Sequence, residues 1–290
     1  MSGGWPGAGF RVMGVVNVTP DSFSDGGRYL DPAAAIARGL ELESEGAAIL
    51  DIGGESTRPG ALPVPVEEEL RRVLPVISGL VSAGTGAQIS IDTSKLAVAS
   101  AALAAGATLV NDVTALRGDP SIAGLIAASE ADCCLMHMLG EPRTMQQGPR
   151  YRDVVSEVKA FLEERLSFAV SEGIAEERIM LDPGIGFGKT IRHNLELVAR
   201  VEELVSLGRP VVIGSSRKSF LGRITGRGVD DRVPATIATV VLAYERGARV
   251  FRVHDAGPVA DALRVTAATV NPACPLPPPT TKPTRRSSRT

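Results

Sequence analysis

Short apolar runs and amphipathic stretches alternate eight times along this chain, and nothing else in it restricts the possible folds as tightly. The apolar runs are Val12–Val16, Ala48–Ile52, Gln88–Ile91, Thr108–Val110, Cys133–Met136, Ile179–Leu181, Val211–Ile213 and Val250–Val253. A run such as Val211-Val212-Ile213, stopping at Gly214, offers no polar face to solvent and predicts a strand buried on both sides. Between the runs, Ala33–Glu45 sets Ile36, Leu40 and Leu42 against Arg38, Glu41 and Glu45, the spacing of a helix with one wet face. Val66–Ser82, Lys95–Ala105, Ile122–Ser129, Val154–Ser171, Asn194–Leu207, Ala235–Arg246 and Val259–Ala268 repeat that pattern. Pro32, Pro120, Pro234 and Pro258 fall where helices start, and Gly46, Gly84, Gly106, Gly173, Gly208 and Gly247 where they stop. Strand–helix alternation predicts an α/β fold with a parallel sheet. Eight units of about 30 residues predict a closed (β/α)8 TIM barrel with its site at the C-terminal strand ends. An open Rossmann-like sheet is the alternative, but its glycine-rich fingerprint is missing.

Composition agrees with one such barrel in 290 residues. Hydrophobic residues make up 44% and aromatics only 4%, so aliphatic side chains must fill the core, as parallel strands under helices require. The last twenty residues, from Asn271, are rich in proline and predict a disordered basic tail. Four of the 31 basic residues lie there and none of the 33 acids, which leaves 27 basic groups against 33 acidic ones elsewhere, or −6. Such a body is a poor host for nucleic acid. The division expected is therefore 1–11 as an N-terminal extension, 12–270 as the barrel and 271–290 as the tail. Cys133, Cys134 and Cys274 give neither a disulfide framework nor a zinc spacing. The start has no basic-then-apolar signal segment, and no apolar run approaches the length of a membrane helix. A cytoplasmic protein with reduced thiols and no membrane or nucleic-acid partner is expected.

Polar residues recur where the strands end. Asn17 begins a long polar connection after the first strand, and Asp51-Ile-Gly-Gly-Glu-Ser-Thr-Arg58-Pro-Gly60 follows the second. Asp92, Asn111, His137, Asp182, Lys218 with Ser219, and Arg252 with His254 mark the others. One Asp or Asn in such a place reads as a cap or turn former. All of them at one end of a barrel share one pocket. That pocket divides chemically in two. Asp92, Asn111, Asp182 and Lys218 suit a flat heterocycle rich in N–H and C=O groups, since a carboxylate pairs with an amino-pyrimidine edge through two hydrogen bonds. Arg58, Arg252 and His254, with Asn17, form a cationic and polar cluster suited to a phosphate or diphosphate. The glycine-rich loops around Gly26-Gly27 and Gly53-Gly54 are placed to close over a substrate.

These stretches resemble the dihydropteroate synthase family of folate biosynthesis, in its monofunctional bacterial form. The matching segments are MGVVNVTPDSFSDGG from Met13, DIGGESTRPGA from Asp51, SIDT from Ser90, VNDV from Val110 and MHMLGEPRTMQ from Met136. DPGIGFGKT from Asp182, GSSRKSFLG from Gly214 and RVHD from Arg252 continue the likeness, which runs from Met13 to Val270. The resemblance implies a transferase that condenses (7,8-dihydropterin-6-yl)methyl diphosphate with 4-aminobenzoate, in a homodimer using Mg2+ and open to sulfonamides. It places Asp92, Asn111, Asp182 and Lys218 on the pterin and Asn17 on the metal and diphosphate. It gives Thr57, Arg58, Arg252 and His254 to the pterin diphosphate, and Phe23, Pro59, Phe187 and Ser219 to 4-aminobenzoate. Asp92, Asp182, Lys218, Arg252 and His254 carry the catalysis in that scheme.

Two other signals fail. GIGFGKT has the look of a phosphate-binding Walker loop, yet the first glycine of that motif would fall on Pro183. His137 lacks a ligand partner at metal spacing, which points to a pocket wall or the core, and His193 reads as a surface residue at a helix start. A related pterin-binding barrel of folate-dependent methyl transfer would share the Asp/Asn pocket. It would have no need of Arg58, Lys218-Ser219 and Arg252-x-His254 together. A silent paralogue acting as a binding protein would have lost one of them.

Overall fold

The computed structural model describes residues 9–19, 31–57, 60–141 and 144–270. Phe23, Arg58, Pro59 and the expected tail 271–290 lie outside the described residues, as does most of the expected N-terminal extension. Within them the alternation is regular. Strand β1 (Arg11–Asn17) leads to α1 (Pro32–Ser44), β2 (Ile49–Gly53) to α2 (Val66–Ser82), and β3 (Gln88–Asp92) to α3 (Leu96–Ala104). Then come β4 (Leu109–Asp112), α4 (Ser121–Ser129), β5 (Asp132–Met136), α5 (Val154–Ser171), β6 (Ile179–Asp182), α6 (Ile191–Ala199) and α7 (Val201–Val205). The last units are β7 (Val212–Ile213), α8 (Ser219–Thr225), α9 (Val233–Glu245), β8 (Val250–Val253) and α10 (Ala256–Val270).

All paired strands are parallel, in the order β6-β5-β4-β3-β2-β1-β8-β7. The two ends of that order meet through a parallel bridge between Leu181 and Val211 and a hydrogen bond from the Leu181 N–H to Pro210 O at 3.0 Å. The sheet thus rolls into a (β/α)8 barrel, as the sequence predicts.

Local chemistry explains the helix starts. Asp31 caps α1 by accepting from the Ala33 N–H at 2.9 Å, ahead of Pro32 at the first helical position. Asp153 caps α5 through Val155 and Ser156. His193, read as a surface residue, closes a capping box on α6 with Thr190. Two boundaries differ from expectation. The helix expected over Asn194–Leu207 is two, broken at Arg200, whose φ and ψ (−123°, 30°) leave the helical range while its guanidinium bonds Asp153 and Glu203. Helix α8 starts in a stretch read only as a polar strand end, because seven residues stopping before Gly226 are too few to show helical periodicity.

Side chains alternate across each strand with period two. One set, including Val12, Leu50, Ile91, Val110, Leu135 and Phe251, packs against the helices in the main core. The other set fills the barrel. Met13, Ile49, Leu109, Cys134, Met180, Val212 and Val250 form a separate, fully buried plug. Burying one such side chain contributes about 1.5–3 kcal/mol. Two residues further along the same strands, about 6.6 Å higher, stand Asp51, Asn111, Asp182, Gly214 and Arg252. The adjacent cysteines split between the two sets and are both buried thiols.

Candidate active site

The C-terminal mouth of the barrel is organised on a carboxylate inside a strand. Asp51, with no exposed surface, accepts from Ser90 Oγ at 2.6 Å, Asn111 Nδ2 at 3.0 Å and Arg252 Nε at 2.6 Å. The far side of the same guanidinium donates to Asp92 Oδ2 at 2.7 Å. Burial works against the charge on Arg252, but Asp51 and Asp92 more than restore it and hold its pKa above the ordinary value. Burial, opposed by Arg252 and reinforced by Asp51, Glu69 and Asp112, pushes Asp92 up to about 7. The heterocycle half and the anion half expected from sequence are therefore joined by hydrogen bonds through Arg252. Arg252 is bonded to an acid expected on the heterocycle side, and Asp51, given no role from sequence, joins them. Its signal was available: a carboxylate in the middle of a strand buried on both faces must have partners.

On the opposite wall, Asp182 ends β6, and burial raises its pKa against the pull of the Gly184 N–H, Lys218, Arg252 and Lys189. Its Oδ1 accepts from Gly184 N at 2.7 Å. Between β7 and α8 the chain bends at Arg217, whose φ is +56° and whose guanidinium clasps Asp255 at 2.9 and 2.6 Å. The bend delivers Lys218, whose ammonium lies 4.1 Å from the centre of the Phe187 ring. Gly186 permits this approach, since a β-carbon there would sit 3.0 Å from Lys218 Cδ. Ser219, the exposed first residue of α8, stands beside it.

His254 follows β8, with its N–H and its Nδ1 on Ser216 Oγ at 3.1 and 3.0 Å and its carbonyl accepting from Arg38 at 2.8 Å. Burial, then Arg252 and Arg217, lower its pKa to about 3. Its imidazole is neutral at pH 7, so the cluster expected to be cationic owes its charge to arginine. Ser216, which the sequence shows only inside the segment GSSRKSFLG, is the residue that orients this ring. Thr57 is half-buried in the loop after β2. That loop is tied down at its base by Lys95, which bonds Glu55, Glu69 and, at 2.8 Å, Val64 O.

Among the described residues no three His, Cys, Asp or Glu side chains gather as a metal cage. Mg2+ prefers hard oxygen ligands and often borrows them from substrate phosphates. Asn17, at the end of β1, presents a hard amide oxygen of that kind at this mouth, its Oδ1 lying 3.9 Å from where a Gly53 β-carbon would stand.

The family model of pterin binding enzymes matches residues 13–254. Dihydropteroate synthase of Escherichia coli strain K12 is 42% identical over 261 residues, 90% of this chain and 92% of that protein. A Xanthomonas albilineans dihydropteroate synthase structure with 4-aminobenzoic acid superposes with a TM-score of 0.85 at 50% identity, covering 90% of this chain and 93% of the other. A structure of the same enzyme in complex with 7,8-dihydropteroate gives 0.82 at 48% identity, covering 90% and 94%.

Proposed function

This chain belongs to the pterin binding enzyme family, and we infer from that membership and the barrel mouth that it is a dihydropteroate synthase. It joins (7,8-dihydropterin-6-yl)methyl diphosphate to 4-aminobenzoate and releases diphosphate. The C–O bond between the pterin methylene and the diphosphate breaks, a C–N bond to the aniline nitrogen forms, and the aniline proton passes to solvent. The observation that carries this reading is one mouth holding buried carboxylates and an amide beside an Arg–His pair. Those carboxylates stabilise positive charge that builds on the ring as the ester bond breaks.

The individual roles are proposals of the same kind. Asp92, Asn111, Asp182 and Lys218 hold the pterin edge. Arg252 and His254, with Thr57 and Arg58, hold the diphosphate. Phe187 and Ser219, with Phe23 and Pro59, form the 4-aminobenzoate subsite. Contact between Phe187 and Lys218 supports this, because it brings a wall of one subsite against a wall of the other. Asn17 would hold Mg2+ together with diphosphate oxygens, and the ion would supply charge neutralisation for the leaving group. A cytoplasmic location accords with buried free thiols and with the lack, among the described residues, of any helix long and apolar enough to cross a membrane. The homodimer rests on the family resemblance and is open to light scattering.

The test is diphosphate release from the pterin ester, with and without 4-aminobenzoate, and identification of the product. Dihydropteroate should appear with Mg2+ and vanish in excess chelator. Absence of product with both substrates and the metal overturns the activity, and full turnover in chelator overturns the metal.

A further inference from the structure

Beneath the turn that follows β6 lies a buried pair that the chemistry above leaves unused. Lys189, only 3% exposed, donates from Nζ to Phe187 O at 3.0 Å and lies 2.9 Å from His137 Nδ1. Burial lowers the Lys189 pKa to about 7, and burial with Lys189 and Arg117 nearby drives that of His137 well below its ordinary value, so the imidazole stays neutral beside the lysine head. His137 in turn donates its backbone N–H to Asp182 O at 2.9 Å and rests its ring on Phe161, with centroids 4.8 Å apart. Gly184 closes the turn directly onto the pair: its φ is +67°, and a β-carbon there would fall 1.9 Å from His137 O and 3.5 Å from Lys189 Nζ. Tyr151 adds a hydroxyl on Gly188 O at 2.9 Å, and Asn194 Oδ1 accepts from Gly186 N at 2.7 Å.

A lysine head is expensive to bury, and an apolar pair of similar volume would pack here at least as stably. Stability alone therefore does not account for it. Resting on the activity assigned above, we propose that Lys189 is a positioning residue: with His137 it pins the Asp182–Gly188 turn from below. That hold sets the Asp182 carboxylate against the pterin edge and the Phe187 ring against Lys218 and 4-aminobenzoate. Lys189 touches neither substrate, so it acts only through these two.

The test uses the full chain as Lys189→Met, which removes the donors, and as His137→Leu/Lys189→Met, which replaces the pair with apolar packing. Lys189→Arg, which restores donors to the Phe187 carbonyl, serves as the rescue. In the double variant we expect a melting temperature at or above wild type with the KM for 4-aminobenzoate raised about tenfold. Its kcat should fall less than about threefold. Amide exchange at Gly184, Gly186 and Phe187 should quicken about tenfold while amides of β1 keep their rates. Lys189→Arg should recover part of both effects. A stable double variant with KM within about twofold of wild type and unchanged exchange in the turn overturns the proposal. So does failure of both Met variants to fold, which would make the pair a structural element only. If the wild-type protein makes no dihydropteroate, the assigned activity is wrong. Exchange in the turn still decides the role of Lys189 by itself.

Discussion

The barrel holds two layers built by the same strands with opposite chemistry. The lower layer, Met13 to Val250, is apolar and closed. The upper layer, two residues further along, sets Asp51, Asn111 and Arg252 in one hydrogen-bonded cluster and Asp182 across from it on the Gly184 N–H. Steps of two residues cost nothing in backbone geometry, so stability and chemistry sit about 6.6 Å apart on one scaffold. The lower layer derives its stability from packing, and a gap there is felt as lost contacts and a cavity. The upper layer derives it from charge balance, and a missing partner there is felt as an uncompensated ion. Substitutions in the two layers should fail differently.

The largest effect is expected in the upper layer. Arg252→Met leaves the Asp51 carboxylate without its cation in a site with no exposed surface. A loss of about 3–5 kcal/mol of folding stability follows, measurable by urea denaturation at pH 7. Because Asp92 loses the same partner, binding of the bare pterin should weaken as well, by calorimetry. A variant that unfolds like wild type and binds bare pterin normally would restore the two separate halves read from sequence.

Met180→Ala, in the plug, should cost about 2–5 kcal/mol while the dissociation constant for pterin in the surviving native protein stays at its wild-type value. Equal damage to stability and affinity would show that the layers are not separable.

Asp182→Asn is the converse. Burial already disfavours the charge there, so the melting temperature should hold or rise. Pterin affinity should drop by about 1.5–3 kcal/mol, the scale of a hydrogen bond to a charged group. An unstable Asp182→Asn with normal affinity would move this residue to the structural layer.

The smallest effect concerns His254. Its folded pKa, about 3, lies below the unfolded value, so the unfolded chain takes up the proton first as pH falls. The neutral ring's contribution is complete above the unfolded pKa of about 6.5 and is lost as pH drops from there toward the folded value. NMR of the free protein should show this imidazole unprotonated throughout the neutral range, with its pKa rising when inorganic diphosphate is added. A His254 resonance that titrates at the ordinary value in the free protein would break the contrast with Arg252, leaving two cations where we find one.

Much of this was legible in the chain alone. The buried apolar runs, the proline helix starts such as Pro32 and the polar strand ends are local patterns, and local sterics and burial impose them without help from distant residues. They were enough to place Asp92, Asn111, Asp182, Lys218, Arg252 and His254 at one mouth. Which of these groups meet is another matter. Arg252 and Asp51 lie 201 residues apart in the chain, and Lys189 and His137 52 apart. Only closure of the ring and its strand register bring them within hydrogen-bond distance. Electrostatics follow from that closure too, since desolvation and neighbouring charges, not residue type, make His254 neutral and Asp92 hard to ionise. The sequence by itself determined the barrel and the cast of side chains at its mouth. Their partners and protonation states were decided by tertiary structure, because both depend on distances that no local pattern encodes.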